Sequence, residues 1–217
     1  MKKLLLVGAV ALFGAMNAQE VKFGAKAGYS LSTLKIDADG ESFDYDAKST
    51  FYVGGLVEYK LNDKFALQGE LLYSPLGGKN KTSSSQTLPL VGTVSYTEED
   101  EVKFGTLQIP VSAKYYVTES LALGAGLNFG IITSAKSEYN YSYNGGGINE
   151  SESGSEDIKD YTKSLNLAPF IGAEYNLTNG LFFDARYNIG VSNLADESGV
   201  DMKNSFLQVG IGYKFGK

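Results

Sequence analysis

The chain contains no cysteine and no histidine. The first absence excludes a disulfide framework and a thiolate metal site. The second removes the commonest general base and every imidazole metal ligand. Tryptophan is also missing, proline occurs only 4 times, and Arg186 is the single arginine. Positive charge is short overall: 19 basic residues stand against 25 acidic ones, for a net charge of −6. Nucleic acid calls for the opposite balance, so no nucleic-acid partner is expected. What is abundant is glycine (26) and tyrosine (15), with 12 phenylalanines. Aromatic-rich chains of this kind favour strands.

The first residues, MKKLLLVGAVALFGAMNAQ, have the three parts of a secretory signal. Lys2 and Lys3 give a basic start, Leu4 to Phe13 an apolar stretch too short for a membrane-spanning helix, and Ala15 to Ala18 a run of mostly small residues. Cleavage is expected after Ala18, leaving 19–217 as one domain. No later apolar run reaches the length of a membrane helix.

The remaining sequence alternates with period 2 in eight segments: about 21–34, 50–61, 65–76, 104–117, 121–133, 165–177, 181–192 and 204–215. In the fourth, Leu107, Ile109, Val111, Ala113, Tyr115 and Val117 oppose Gln108, Ser112, Lys114 and Tyr116. Alternation over ten or more residues, without a competing 3.6 period, predicts strands. The connections alternate as well. Residues 62–64, 118–120 and 178–180 are tight turns of turn-forming residues, whereas 36–49, 77–103, 134–164 and 193–203 are long and polar. Short turns at one end and long loops at the other is the asymmetry of an outer-membrane barrel.

A soluble sandwich would also alternate, but its strands are usually about five or six residues long. Segments of about eleven residues, at ~3.3 Å per residue and ~45° tilt, rise roughly 25 Å, the height of an outer-membrane apolar band. Glycine sits mostly in the polar phase (Gly24, Gly28, Gly54, Gly124, Gly126, Gly130, Gly210, Gly212), which suits a packed barrel interior and not a solvated face. Aromatics of the apolar phase (Phe23, Tyr59, Phe65, Tyr115, Tyr175, Tyr213, Phe215) gather near the short turns, as an interfacial girdle would. An open sheet cannot sit in lipid, so the sheet must close. The expected fold is all-β: an eight-stranded antiparallel up-and-down transmembrane barrel behind a cleaved signal peptide.

On this reading the apolar phase meets lipid. Lys26, Glu58, Glu70, Lys114, Glu174, Asp184 and Arg186 then point inward, each about three to five residues from the short-turn end, and are expected to form one layer of paired charges. Arg186 should take a carboxylate on a neighbouring or facing strand: Glu174, Glu58 or Glu70. Such a layer would be structural filling or, alternatively, a charged constriction for small ions. Leu127 is placed in lipid and Asn128 inside, where an arginine should be tolerated better if the lumen has room.

Other motifs carry less. DADGESFDYD (37–46) has some calcium-loop oxygens, but Gly40 falls too early and position twelve is Lys48, so it reads as an acidic loop. EEDE (98–101) and ESESGSED (150–157) read as solvated loop tips. SEYNYSYN (137–144) places Tyr139, Tyr141 and Tyr143 on one side of a strand extension, for cross-strand packing or contact with a partner. Without histidine a hydrolase site is hard to assemble. No enzyme activity, cofactor or metal is expected.

The stretches LQGELLYSPLGGK (67–79), LQIPVSAKYYV (107–117), LALGAGLNFGIITSAKS (121–137) and the closing LQVGIGYKFGK resemble the PorT-like outer-membrane β-barrel family of Bacteroidota. The resemblance covers most of the chain after the signal. It implies an integral protein of a Gram-negative outer membrane, in contact with lipid and lipopolysaccharide and inserted by the barrel-assembly machinery. The expected role is structural or interactive, through an extracellular or periplasmic protein partner not identified by the resemblance. The alternatives are a porin-like channel for small solutes or ions, or an adhesin acting through its loops.

Overall fold

The computed structural model describes residues 21–38, 40–90 and 92–215. The expected signal segment, residues 1–18, and the last two residues lie outside the described residues. Ten strands follow one another: β1 (Val21–Ala38), β2 (Glu41–Asp44), β3 (Lys48–Lys60), β4 (Phe65–Leu88), β5 (Gly92–Tyr116), β6 (Leu121–Gly145), β7 (Ile148–Asp157), β8 (Leu165–Asn176), β9 (Leu181–Asn188) and β10 (Val200–Phe215). A 3-10 turn, Lys159–Tyr161, precedes β8.

Eight of these strands close a barrel. Each pairs antiparallel with its neighbour in the order β10-β9-β8-β6-β5-β4-β3-β1. The ring closes as β1 pairs with β10 from Phe23↔Phe215 to Ala38↔Val200. Closure gives each barrel strand a paired neighbour on both sides, which satisfies the backbone groups that lipid cannot. β2 adds to the top of β1, and β7 to the top of β6.

The tight turns are closed by side chains chosen for the task. Asn62 Oδ1 accepts the N–H groups of Lys64 (2.9 Å) and Phe65 (3.0 Å). Thr118 Oγ1 accepts from Ser120 (3.3 Å) and Leu121 (3.0 Å), and Asn179 Oδ1 from Leu181 (3.1 Å). Such bonds replace the backbone pairing lost at the reversal. Gly180, at φ +90°, supplies the left-handed residue of the third turn.

Burial follows the period-2 phase. In β9 the pattern Phe182, Asp184, Arg186 and Asn188 is buried, while Phe183 and Tyr187 are exposed. The exposed side carries Leu67, Leu71, Val111, Leu123, Leu127, Ile171, Val209 and Ile211 in a band flanked by rings. Phe65 packs on Tyr115 (centroids 5.3 Å apart) and Tyr213 on Phe215 (5.2 Å) near the short turns; Phe51 approaches Tyr73 (6.4 Å) at the other margin. An apolar exterior between aromatic girdles is a lipid-facing surface.

The structure differs from the sequence reading above the second girdle. Residues 77–103 and 134–157 are not open loops. β4 and β5 stay paired from Phe65↔Tyr115 up to Leu88↔Gly92, and β5 remains paired with β6 up to Ser95↔Asn144. The segment 98–101, read as a loop tip, is in mid-strand with a partner strand on each side, and 150–157 is most of β7. These stretches lack the apolar alternation that marks the barrel because neither of their faces meets lipid. The pairing there rests on main-chain bonds and short polar cross-strand contacts such as Thr87 with Thr93 (3.1 Å).

Candidate functional site: the barrel lumen

The charged side chains inside the barrel form two clusters at different heights, where one layer was expected. In the cluster nearest the short turns, Lys114 Nζ donates to Glu58 (2.6 Å) and Glu174 (2.6 Å). Lys214, which the sequence reading passed over, reaches the same two carboxylates at 2.8 and 2.5 Å. Tyr116 adds a hydroxyl bond to Glu58 (2.9 Å). Two ammonium groups thus share two carboxylates, and all four side chains are at least nine-tenths buried.

The second cluster lies deeper. Lys26 Nζ bridges Asp184 (2.8 Å) and Glu70 (3.2 Å), and Arg186 Nη1 donates to the same Glu70 carboxylate at 3.0 Å. Tyr52 donates to Asp184 (3.1 Å). Glu70 is therefore the partner of Arg186, while Glu58 and Glu174 serve the lysines of the first cluster. Register explains the exclusion of Glu174: it lies directly opposite Asp184, whereas Gly172 is opposite Arg186. Gln68 ties the clusters together, donating to Glu70 (2.8 Å) and accepting from Lys114 (3.0 Å). Each cluster is neutral by itself, as buried charge requires.

Aromatic rings and glycines set the spacing. Lys26 lies 5.4 Å from the Tyr52 ring centroid, Lys214 5.1 Å from Phe182 and the Arg186 guanidinium 5.2 Å from Phe170. A Cβ on Gly210 would fall 1.9 Å from the Tyr52 hydroxyl, and one on Gly212 2.2 Å from the Phe182 ring. Two inward rings fit because β10 offers no side chain there. Lys214 was missed because it sits one residue before the terminal aromatic of the girdle. Its phase, opposite Tyr213 and Phe215, was the available signal.

Above the charges an amide tier follows. Arg186 Nε donates to Gln208 (2.7 Å), and Asn128 donates to Gln108 and Asn188 (both 3.2 Å). Asn128 is 1% exposed, so the lumen has no spare room for an arginine there. Higher again, Leu76, Ala168 and Phe206 pack together. The top is closed by Leu34, Val102, Phe104, Ile132, Ala135, Leu194, Ala195 and Met202, with Ile36, Tyr45, Ile158 and Val200 against them. Leu194 and Ala195 come from the connection after β9, which folds inward as part of this seal. Beside the charge clusters a cavity of about 40 Å³ remains, bounded by Lys26, Glu70, Lys114, Glu174 and Arg186. A vestibule of about 440 Å³ opens at the short-turn end and stops at Tyr116, Glu58 and Lys214.

In the acidic stretch 37–46, Asp39 lies outside the described residues. Asp37 and Asp44 lie on paired strands, opposite Ser42 and Lys35 respectively. No group of three or more metal-ligating side chains occurs among the described residues.

A closed sheet with a lipid-facing belt and a filled, ion-paired interior defines an integral membrane β-barrel. The chain belongs to the outer membrane protein beta-barrel domain family, whose model matches residues 17–196. It is therefore an integral outer-membrane protein, in contact with the lipids of that membrane. Among solved structures it is similar to Ail, the attachment invasion locus protein of Yersinia pestis, at 19% identity and a TM-score of 0.46, over 90% of this chain and 99% of that one. It is also similar to OprG from Pseudomonas aeruginosa, at 15% identity and a TM-score of 0.43, over 92% and 98% of the two chains. No curated protein matches the chain.

Proposed function

We propose that the protein is a sealed outer-membrane anchor whose long-hairpin end stands outside the cell and carries an interaction surface. Residues 1–18 act as a cleaved secretory signal, 19–217 form the barrel domain, and the barrel-assembly machinery inserts it. The stretches E-L-L-Y at 70–73 and L-Q-I-P at 107–110 support a place among the PorT-like barrels of Bacteroidota. The eight-charge lumen network is structural: it fills the barrel with neutralised side chains. Neither catalysis nor a cofactor enters this reading, which rests on a chain without histidine or cysteine.

The observation that carries the proposal is the double closure of the lumen, by ion pairs below and by the Leu34–Phe104–Leu194 seal above. A porin needs a continuous aqueous path, and eight strands leave room only for a filled interior. Planar-bilayer recording on the refolded protein tests this. The expected record shows no stable open level, and a reproducible unitary conductance would overturn the sealed barrel.

A further inference from the structure

Beyond the membrane β4, β5, β6 and β7 continue as a four-stranded sheet, and one extra residue decides what its two sides carry. Within the barrel Thr106 pairs with Ile132, but one step higher Gly105 pairs with Ser134. Thr133 is the bulged residue, and its hydroxyl donates to the Gly105 carbonyl (2.9 Å). A bulge of one residue exchanges the faces of everything beyond it. Odd positions of β6 point to lipid at Leu127, Phe129 and Ile131, yet Ala135 is fully buried in the seal. Tyr139, Tyr141 and Tyr143 follow Ala135 onto the side that continues the lumen wall.

Register shows what else shares that side. Tyr139 lies opposite Asp100, Tyr141 opposite Glu98, and Tyr143 opposite Tyr96. Across the other neighbour, Tyr141 meets Glu152, Tyr143 meets Glu150, and Ser137 meets Glu156. Tyr96 and Tyr141 touch edge to face at 5.3 Å, Tyr139 donates to Glu152 (3.3 Å), and its ring lies over Gly154. Five carboxylates share this side with four tyrosines and no lysine. The opposite side holds the lysines of these strands, largely in pairs: Lys81 with Glu99 (3.3 Å), and Lys103 with Glu101 (3.3 Å) and Glu138 (2.6 Å). One face is neutralised and the other is not.

This face lies at an open edge. Among the described residues β7 pairs only with β6, so its outer main-chain groups face no strand. Its acidic side chains repel a second copy of the same edge, which argues against self-association. A chain of opposite charge would be attracted instead. Same-side residues of a strand are spaced about 6.6 Å apart, so alternate basic residues of an extended segment match alternate carboxylates. Guanidinium groups can also stack on tyrosine rings while bonding carboxylates.

We propose that the tyrosine-and-carboxylate face, with the open edge of β7, docks an extended polypeptide segment bearing arginine or lysine at alternate positions. The proposal rests on the external placement of this end and names the kind of partner it meets. The test uses the full mature chain refolded in nanodiscs and a fluorescent decapeptide of alternating arginine and threonine, followed by anisotropy. Saturable binding is expected, weakening more than tenfold as salt is raised from low to several hundred millimolar. Y139S/Y141S and E98Q/E152Q should each weaken binding about tenfold, while K81Q on the opposite face leaves it unchanged. Folding of each variant is checked by its heat-dependent electrophoretic shift, which reports the barrel independently of the peptide. No saturable binding, equal binding of an aspartate-threonine decapeptide, or equal affinity in the face variants would overturn the proposal. Displacement of the peptide by millimolar calcium at constant ionic strength would overturn it too, by making the face a cation site. A conductance level in bilayers would refute the sealed barrel and leave this result standing.

Discussion

Arg186 shows how a single residue is chosen by its surroundings. Its guanidinium bonds Glu70 through Nη1 and Gln208 through Nε, so it joins the charged cluster to the amide tier. Lysine has a point charge and cannot make both bonds in this geometry. Removing one partner of a buried ion pair leaves an uncompensated charge, so Arg186→Ala should cost about 3–5 kcal/mol if its site is dry. A double-mutant cycle in urea, in micelles, should show coupling of Arg186 to Glu70 and almost none to Glu174. Equal coupling to both would contradict the two-cluster arrangement. The adjacent pair Leu127 and Asn128 probes the wall from both sides. Leu127 is 45% exposed in the lipid-facing band, and arginine there should cost roughly 2–4 kcal/mol. Asn128→Arg should be no cheaper, because its amide is wedged between Gln108 and Asn188. A markedly lower cost in the same titration would mean that the lumen has space at this level.

At the scale of the element, the long hairpins behave differently from loops. Paired backbone resists proteolysis because cleavage requires local opening. A broad-specificity protease added to intact cells should therefore cut at the tips, around 89–92 and 145–148, and in 196–199. The paired stretches 79–88 and 148–157 should persist longer. Cutting from outside at 62–64 or 178–180 would reverse the orientation. Gly154 gives a second test on β7. A Cβ there would meet the Tyr139 ring at 2.3 Å, so Gly154→Val should displace that ring from the face and leave the barrel folded. The barrel's electrophoretic shift and the tyrosine near-ultraviolet dichroism would report the two effects separately.

For the molecule as a whole, the lumen is closed twice by unlike means, and the two closures can be separated. Phe104 is fully buried at the centre of the upper seal. Phe104→Ala should cost about 3–5 kcal/mol through the cavity it leaves. It should still produce no conductance, since the ion-paired clusters lie intact beneath it. An open level in this variant would mean that the apolar seal alone blocks the lumen. Closure of the sheet is what lets strands cross the membrane; among the described residues no helix is long and apolar enough to do so.

Period, strand number and the lipid-facing phase were legible in the sequence because lipid imposes one rule on every membrane-spanning residue. A side chain that meets hydrocarbon must be apolar, and its neighbour must turn inward, so the pattern repeats in all eight segments. The inward placement of Glu174, Asp184 and Arg186 follows from the same parity. Partner choice does not. That Arg186 takes Glu70 across the lumen, and that Lys214 shares Glu58 and Glu174 with Lys114, depends on strand register and stagger, which join residues 116 and 156 positions apart. Most of the strands above the membrane were hidden for a related reason: away from lipid, little of their sequence alternates in polarity, the tyrosines of 137–144 excepted. The side on which Tyr139, Tyr141 and Tyr143 stand was decided by Thr133 alone, because a single inserted residue reverses parity and only the paired structure reveals it.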